Sequence, residues 1–191
     1  MLNTQGNPAI HRTYSYSFLK RTVDSAGRVL SVEYYDQNGL ATFYGGQYFR
    51  AEYTYDLAGR ETSVTYKDKA GNPCATRRGY ARKTTKYNTL GNVTEEAYFD
   101  AELNPVDTTM GYATAVYTYD SLGNMTSERY LKADSTGTVS VDGRYAYALS
   151  DYDDYGRLLS ETFFDADDNL VNAREGYAEH HITYDENGRI V

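Results

Sequence analysis

Three features of this sequence predict an all-β chain, a tandem array of β-hairpins in a spiralling or solenoid-like sheet of about five to six 32-residue units. The first is a fixed period: the acidic positions Asp24, Asp56, Asn88, Asp120, Asp153 and Asp185 follow one another at steps of 32, 32, 32, 33 and 32 residues. The second is the turn motif at those positions, Tyr55-Asp56-Leu57-Ala58-Gly59-Arg60 and its copies at Tyr87, Tyr119, Tyr152 and Tyr184, with Val23-Asp24-Ser25-Ala26-Gly27-Arg28 lacking only the aromatic. The third is composition, with 22 Tyr, 16 Gly, 3 Pro and no Trp in 191 residues. Tyrosine, threonine and valine suit strands, and glycine, asparagine and aspartate suit the turns between them. Repeats this short cannot bury a core alone, so stability must come from contacts between neighbours.

Each period holds three elements. The first is the tight turn, with an acid or amide at its first position and glycine at its fourth: Asp24 and Gly27, Asp56 and Gly59, Asn88 and Gly91, Asp120 and Gly123, Asp153 and Gly156, Asp185 and Gly188. These preferences are those of a type I turn whose glycine takes positive φ, that is, a hairpin turn with a bulge. A strand ending in aromatics follows, as in Val64-Thr65-Tyr66-Lys67-Asp68 and Glu161-Thr162-Phe163-Phe164-Asp165. A second turn comes at once, for example Asp36-Gln37-Asn38-Gly39 or Asp100-Ala101-Glu102-Leu103-Asn104-Pro105. The third element is a small-residue and tyrosine signature, Gly79-Tyr80-Ala81, Gly111-Tyr112-Ala113, Arg144-Tyr145-Ala146 and Gly176-Tyr177-Ala178, leading into the strand that carries the next turn. In that strand Tyr117 and Tyr119 alternate with Val116 and Thr118, a period of two.

Stacking the units predicts two aromatic ladders of residues one period apart. One is Tyr55, Tyr87, Tyr119, Tyr152 and Tyr184; the other is Tyr34, Tyr66, Tyr98, Tyr130 and Phe163. Aromatic pairs contribute about 0.5–1.5 kcal/mol each beyond their buried area. The whole chain, 1–191, reads as a single array with units near 1–23, 24–55, 56–87, 88–119, 120–152, 153–184 and 185–191. Gly6-Asn7-Pro8 looks like the second turn of a unit, and Gly188-Arg189-Ile190-Val191 stops just past a first turn. With no polar capping unit visible, the expectation is a fragment of a longer array.

These residues resemble the YD repeats of the Rhs and YD-repeat family, whose hallmark is a Tyr-Asp-x-x-Gly-Arg turn within tandem β-hairpins. The resemblance runs through all six first turns. It implies a large bacterial secreted or surface protein, in a toxin-shell or adhesion setting, with hairpins wound into a spiralling sheet. The period of 32, longer than the roughly twenty usual in that family, and the added Gly-Tyr-Ala element mark a long-repeat branch. The Asp-Pro cleavage motif that ends the shell in toxin-bearing members is absent, so a closed, toxin-filled shell is not implied.

The function classes narrow accordingly. Net charge is −8, and the 19 Lys and Arg are scattered, which argues against nucleic acid as a partner. No apolar run is long enough to span a membrane, and the start of the chain has no signal peptide. Cys74 is the only cysteine, so no intramolecular disulfide and no thiolate zinc site can form. The run Asp165-Ala166-Asp167-Asp168-Asn169 begins like a calcium loop but has Leu170 where the bend needs glycine and Gly176 where the glutamate belongs. His180 and His181, adjacent in a strand, point to opposite faces, and His11 is distant in sequence. Neither a catalytic residue nor a metal or cofactor site is expected. The reading is a non-enzymatic structural or interaction region of an extracellular or cell-surface parent protein, whose partners are other domains of that parent and a glycan or protein ligand. The alternative is a glycan or cell-wall binding module using exposed tyrosine rows.

Overall fold

The computed structural model describes Ile10, His11 and residues 14–191. The expected turn at Gly6-Asn7-Pro8 lies outside the described residues. Among the described residues there are eleven strands and no helix: β1 (Phe18–Val23), β2 (Val29–Tyr35), β3 (Arg50–Tyr55), β4 (Glu61–Lys67), β5 (Arg82–Tyr87), β6 (Val93–Phe99), β7 (Thr114–Tyr119), β8 (Met125–Leu131), β9 (Tyr147–Tyr152), β10 (Leu158–Phe164) and β11 (Glu179–His181). They follow chain order through one sheet. The chain divides into two compact units. One comprises residues through Thr85 together with Tyr98–Pro105, the other Lys86–Ala97 together with Val106–Val191.

In the first unit β1 pairs antiparallel with β2, β2 with β3, β3 with β4 and β4 with β5. In the second unit the same holds from β6 through β11. The register slips by one residue beside the first turns, at Thr22/Val23, Thr54/Tyr55 and Thr118/Tyr119. That slip is the predicted bulge, and the hydrogen bonds show its origin. In the turn at Asp56, the Asp56 N–H donates to the Arg60 carbonyl and the Gly59 N–H to the Asp56 carbonyl, both at 3.0 Å. Gly59 can close this loop because its φ is +81°.

The second turns have the same geometry, with Asp68 N–H donating to the Asn72 carbonyl and Gly71 N–H to the Asp68 carbonyl. So does the Gly-Tyr-Ala signature, which proves to be a third turn: Thr76 N–H donates to the Tyr80 carbonyl and Gly79 N–H to the Thr76 carbonyl. Between the second and third turns the chain runs back along the end of its own strand, with bridges at Lys67↔Pro73, Phe99↔Pro105 and Phe164↔Leu170. The third turn therefore forms a side lobe between one strand and the next.

Side lobes of adjacent repeats are tied together. Gly45 N–H donates to the Tyr14 carbonyl, Val141 N–H to the Met110 carbonyl and Arg174 N–H to the Gly143 carbonyl. Arg77 N–H donates to Gln47 Oε1 at 2.8 Å. Backbone groups that an isolated turn would leave to water are satisfied by the next repeat. The core is thin and made of small residues and rings: Ala51, Ala81, Ala113, Ala115 and Ala146 are almost completely buried beneath Tyr34, Tyr80, Tyr98, Tyr130 and Phe163.

Candidate functional site

The recurring polar groups are the first candidates for ligand chemistry, and the structure commits them to the turns themselves. Asp24 Oδ1 accepts the N–H groups of Ala26 and Arg28, each at 2.9 Å, and its Oδ2 accepts Arg28 Nε at 2.6 Å. Asp56 with Arg60, Asp153 with Arg157 and Asp185 with Arg189 repeat this clamp. In the turn at Asp120, Asn124 Nδ2 takes the place of the guanidinium at 2.8 Å. Asn88 accepts the Leu90 and Asn92 N–H groups through its amide oxygen. Gly27, Gly59, Gly91, Gly123, Gly156 and Gly188 all have positive φ. The N–H of Arg28 and that of Arg60 hold the Asp24 and Asp56 carboxyls below the ordinary aspartate range, and the Asn124 amide is the leading cause at Asp120.

The two tyrosine rows are built differently from simple ladders. A period contains two strands, and strands lie about 4.7–4.9 Å apart. Residues one period apart are therefore separated by roughly 10 Å, beyond the 4.5–7 Å of ring contact. Something from the intervening strand or lobe must fill each gap. For the row Tyr34, Tyr66, Tyr98, Tyr130 and Phe163 the filler is the side-lobe tyrosine. In the first unit the centroids run Tyr34–Tyr48 6.0 Å, Tyr48–Tyr66 4.5 Å, Tyr66–Tyr80 6.0 Å and Tyr80–Tyr98 4.8 Å. In the second they run Tyr112–Tyr130 4.6 Å, Tyr130–Tyr145 5.7 Å, Tyr145–Phe163 5.0 Å and Phe163–Tyr177 6.0 Å. Burial pushes the Tyr34 phenol up to about 12.

In the other row, Tyr55, Tyr87, Tyr119, Tyr152 and Tyr184 are half-buried, and at Tyr55 and Tyr184 the filler is a turn arginine. The Arg28 guanidinium lies 5.3 Å from the Tyr55 ring centroid, and that of Arg157 lies 4.5 Å from Tyr184. The hydroxyls of Tyr55, Tyr119 and Tyr184 donate to the carbonyls of Val29, Val93 and Leu158, at 2.8, 2.7 and 3.0 Å. Each such tyrosine thus staples its strand to the start of a strand in the preceding repeat. The expected ring-on-ring ladder gives way at Tyr55 and Tyr184 to contact with a turn guanidinium, while asparagines, Asn92 and Asn124, hold the turn position that precedes Tyr119 and Tyr152.

The remaining sequence candidates occupy ordinary places. Asp165 Oδ1 accepts the N–H groups of Asp167 and Asn169, so the acidic run is a second turn of the repeat. Among the described residues no group of three His, Cys, Asp or Glu side chains is placed to hold a metal ion. The His180 ring packs 5.2 Å from Tyr177, while His181 Nε2 lies 3.8 Å from Glu179. Burial pushes the Cys74 thiol up, and its Sγ sits 3.9 Å from the Gln47 carbonyl.

One polar feature was not singled out in the sequence. Glu128 stands on the tyrosine face of β8, where the equivalent residues of β2 and β4 are the buried Val32 and Val64. Its carboxylate accepts the hydroxyls of Tyr130 and, at 2.7 Å, Tyr145. The available signal was the replacement of valine by glutamate at a fixed repeat position, at Glu96, Glu128 and Glu161.

Comparison with known proteins speaks to fold. No family model and no curated protein matches the chain. Among solved structures, the chain is similar to the Photorhabdus luminescens Tc holotoxin pore carrying the TccC3-D651A mutation, with TM-score 0.56 and 16% identity, covering 100% of this chain and 9% of that one. It is also similar to the crystal structure of TcdB2-TccC3-TEV, with TM-score 0.54 and 18% identity, covering 92% of this chain and 8% of that one. The fold is thus shared with a segment of the Tc toxin proteins, which have the Rhs/YD-like architecture, and the chain spans less than a tenth of their length. No helix among the described residues is long and apolar enough to cross a membrane, which says nothing of a β-barrel.

Proposed function

We propose that this chain is a non-enzymatic structural scaffold, a wall segment of a larger bacterial protein that works outside the cell in a toxin-shell or adhesion setting. Its partners are then other domains of the same parent. The observation that carries this reading is the use of the recurring polar groups: turn carboxylates accept from their own turns, row tyrosines staple one repeat to the previous one, and lobe backbones bond to the next lobe. Such wiring extends indefinitely by repetition, as a wall requires. The similarity to segments of Tc toxin structures supports the same reading.

Limited proteolysis of the full-length parent tests it. A wall shields a stretch of the same polypeptide, which should become cleavable when a turn is opened by Gly123→Val. Identical digestion of the parent with and without the array would overturn the reading. Tyrosine fluorescence titrated with cell-wall glycan fragments supplies the second arm. It should stay unchanged, and a saturable shift would instead favour a glycan-binding module, with the 84% exposed Tyr155 the first place to look.

A further inference from the structure

The repeat pattern breaks twice in one place, and the two breaks open a cleft. The side lobe at Ser140 is one residue longer than those at Tyr44, Thr76, Thr108 and Ala173, a length it shares with the lobe closed by His11 and Tyr16. Ser140 N–H donates to the Tyr145 carbonyl, five residues on, whereas Ala173 N–H in the next lobe donates to Tyr177, four residues on. The longer lobe is where the single 33-residue step falls, and it carries Arg144 at φ +66°. The second break is Phe163, standing where the previous repeat has Tyr130. At Glu128 the Tyr130 hydroxyl supplies one of the two donors to the carboxylate. Phe163 has no hydroxyl to give. Among the described residues, none donates a hydrogen bond to the carboxylate of Glu161, the counterpart of Glu128, and none pairs with its charge.

Glu161 lines a cleft of about 240 Å3 whose aromatic walls are Tyr145, Phe163 and Tyr177. Asp142 and Glu175 also line it, with Arg174 the one cation among its lining residues. Departures from a repeat rule without a packing gain are where function is to be sought. A half-buried carboxylate whose counterpart needs two donors is an acceptor site awaiting one. Among the described residues the carboxylates are not placed to share a metal ion, and aromatic walls beside a carboxylate suit an alkyl chain that ends in a charged donor.

We propose that this cleft binds an alkylammonium group, with Glu161 accepting from the ammonium and the ring edges of Tyr145, Phe163 and Tyr177 packing along the alkyl stem. A lysine side chain of an extended polypeptide and a free polyamine share this chemistry. The assignment is independent of the wall reading, and either can fail without the other.

Calorimetric titration of the intact chain tests it, with the peptide acetyl-Gly-Gly-Lys-Gly-Gly-amide and with spermidine as probes. One-to-one binding is expected, and the tighter probe identifies the source. Two variants should each weaken it about tenfold or more. Glu161→Gln removes the charge, and Phe163→Tyr rebuilds the hydroxyl donor that occupies Glu128 in the preceding repeat. Phe163→Tyr restores the residue type of the other repeats, so the fold survives it. Glu102→Gln, an equal charge change outside the cleft, should leave binding unaltered. Absence of binding, equal binding of the Nζ-acetylated lysine peptide, or equal losses in Glu161→Gln and Glu102→Gln would each overturn the proposal.

Discussion

The two compact units exchange glutamate and valine between the faces of the same kind of sheet at particular repeat positions. In the first unit the tyrosine face carries Val32 and Val64, and the other face carries an ion-pair chain: Lys20–Glu33 3.8 Å, Arg50–Glu33 3.4 Å, Arg50–Glu52 2.9 Å and Lys67–Glu52 2.7 Å. In the second unit the glutamates Glu96, Glu128 and Glu161 stand on the tyrosine face. The other face carries Val116, Leu131 and Leu149, with Tyr147 and Phe164 stacked at 4.6 Å under the Arg129 guanidinium. The turns and registers are the same in both. Backbone wiring therefore sets this fold, and side-chain polarity is free to change sides, provided that each buried polar group finds a partner.

Several variants would break or sharpen that comparison. The largest effect is expected from Tyr130→Ala in the second unit, which removes two ring contacts and a donor to Glu128. It should cost roughly 3–5 kcal/mol by urea denaturation, more than Tyr34→Ala in the first unit, where no carboxylate depends on the ring. Next come reciprocal exchanges. Val64→Glu buries a charge at a position only 4% exposed and should cost about 2–4 kcal/mol. Glu128→Val, replacing a paired charge by an apolar group, should stay within about 1 kcal/mol. Equal costs for the two exchanges would mean that the faces are not interchangeable.

Smaller effects separate turns from turns. Leu103 holds the left-handed position of a second turn at φ +69°, where Gly39 and Gly71 stand in earlier repeats. Leu103→Gly should stabilise the chain by about 0.5–1 kcal/mol in the same urea assay. The turn aspartates Asp24, Asp56 and Asp120 have folded-state pKa values below the ordinary 3.8. Their contribution is complete above that value and is lost as pH falls through the lowered ones. The urea midpoint should accordingly be level with respect to these groups near neutrality and drop below about pH 4, and Asp56→Asn should shrink the drop. The turn at Asn88 already lacks a titrating group there. Glu52→Gln in the ion-pair chain should change stability by less than about 1 kcal/mol, and less again in high salt.

Much of the fold was legible because turn chemistry is local. An aspartate that accepts N–H groups two and four residues ahead, and a glycine in the left-handed region, lie within one five-residue window, so Asp56-Leu57-Ala58-Gly59-Arg60 announces its own geometry. The second turns stayed legible from their leading aspartates, Asp100 and Asp165, even where Leu103 and Asp168 take that backbone conformation without glycine. The third turns were hidden because threonine, serine or alanine opens them in place of aspartate: Thr76, Thr108, Ser140 and Ala173. The role of Glu128 was invisible for a different reason, since its partners Tyr130 and Tyr145 come from its own strand and from a lobe whose position no local pattern states.

By itself the sequence determined the period, the all-β class, the hairpin turns with their bulges and the two sets of aromatic positions, because each is fixed by contacts within a few residues or by strict repetition. Tertiary structure alone decided what lies between those aromatics. Two strands per period put equivalent rings about 10 Å apart, so Tyr48 and Tyr80 fill one row and Arg28 and Arg157 the other. It also decided that Glu161, at the repeat position of Glu128 but with Phe163 where Tyr130 stands, is left facing a cleft.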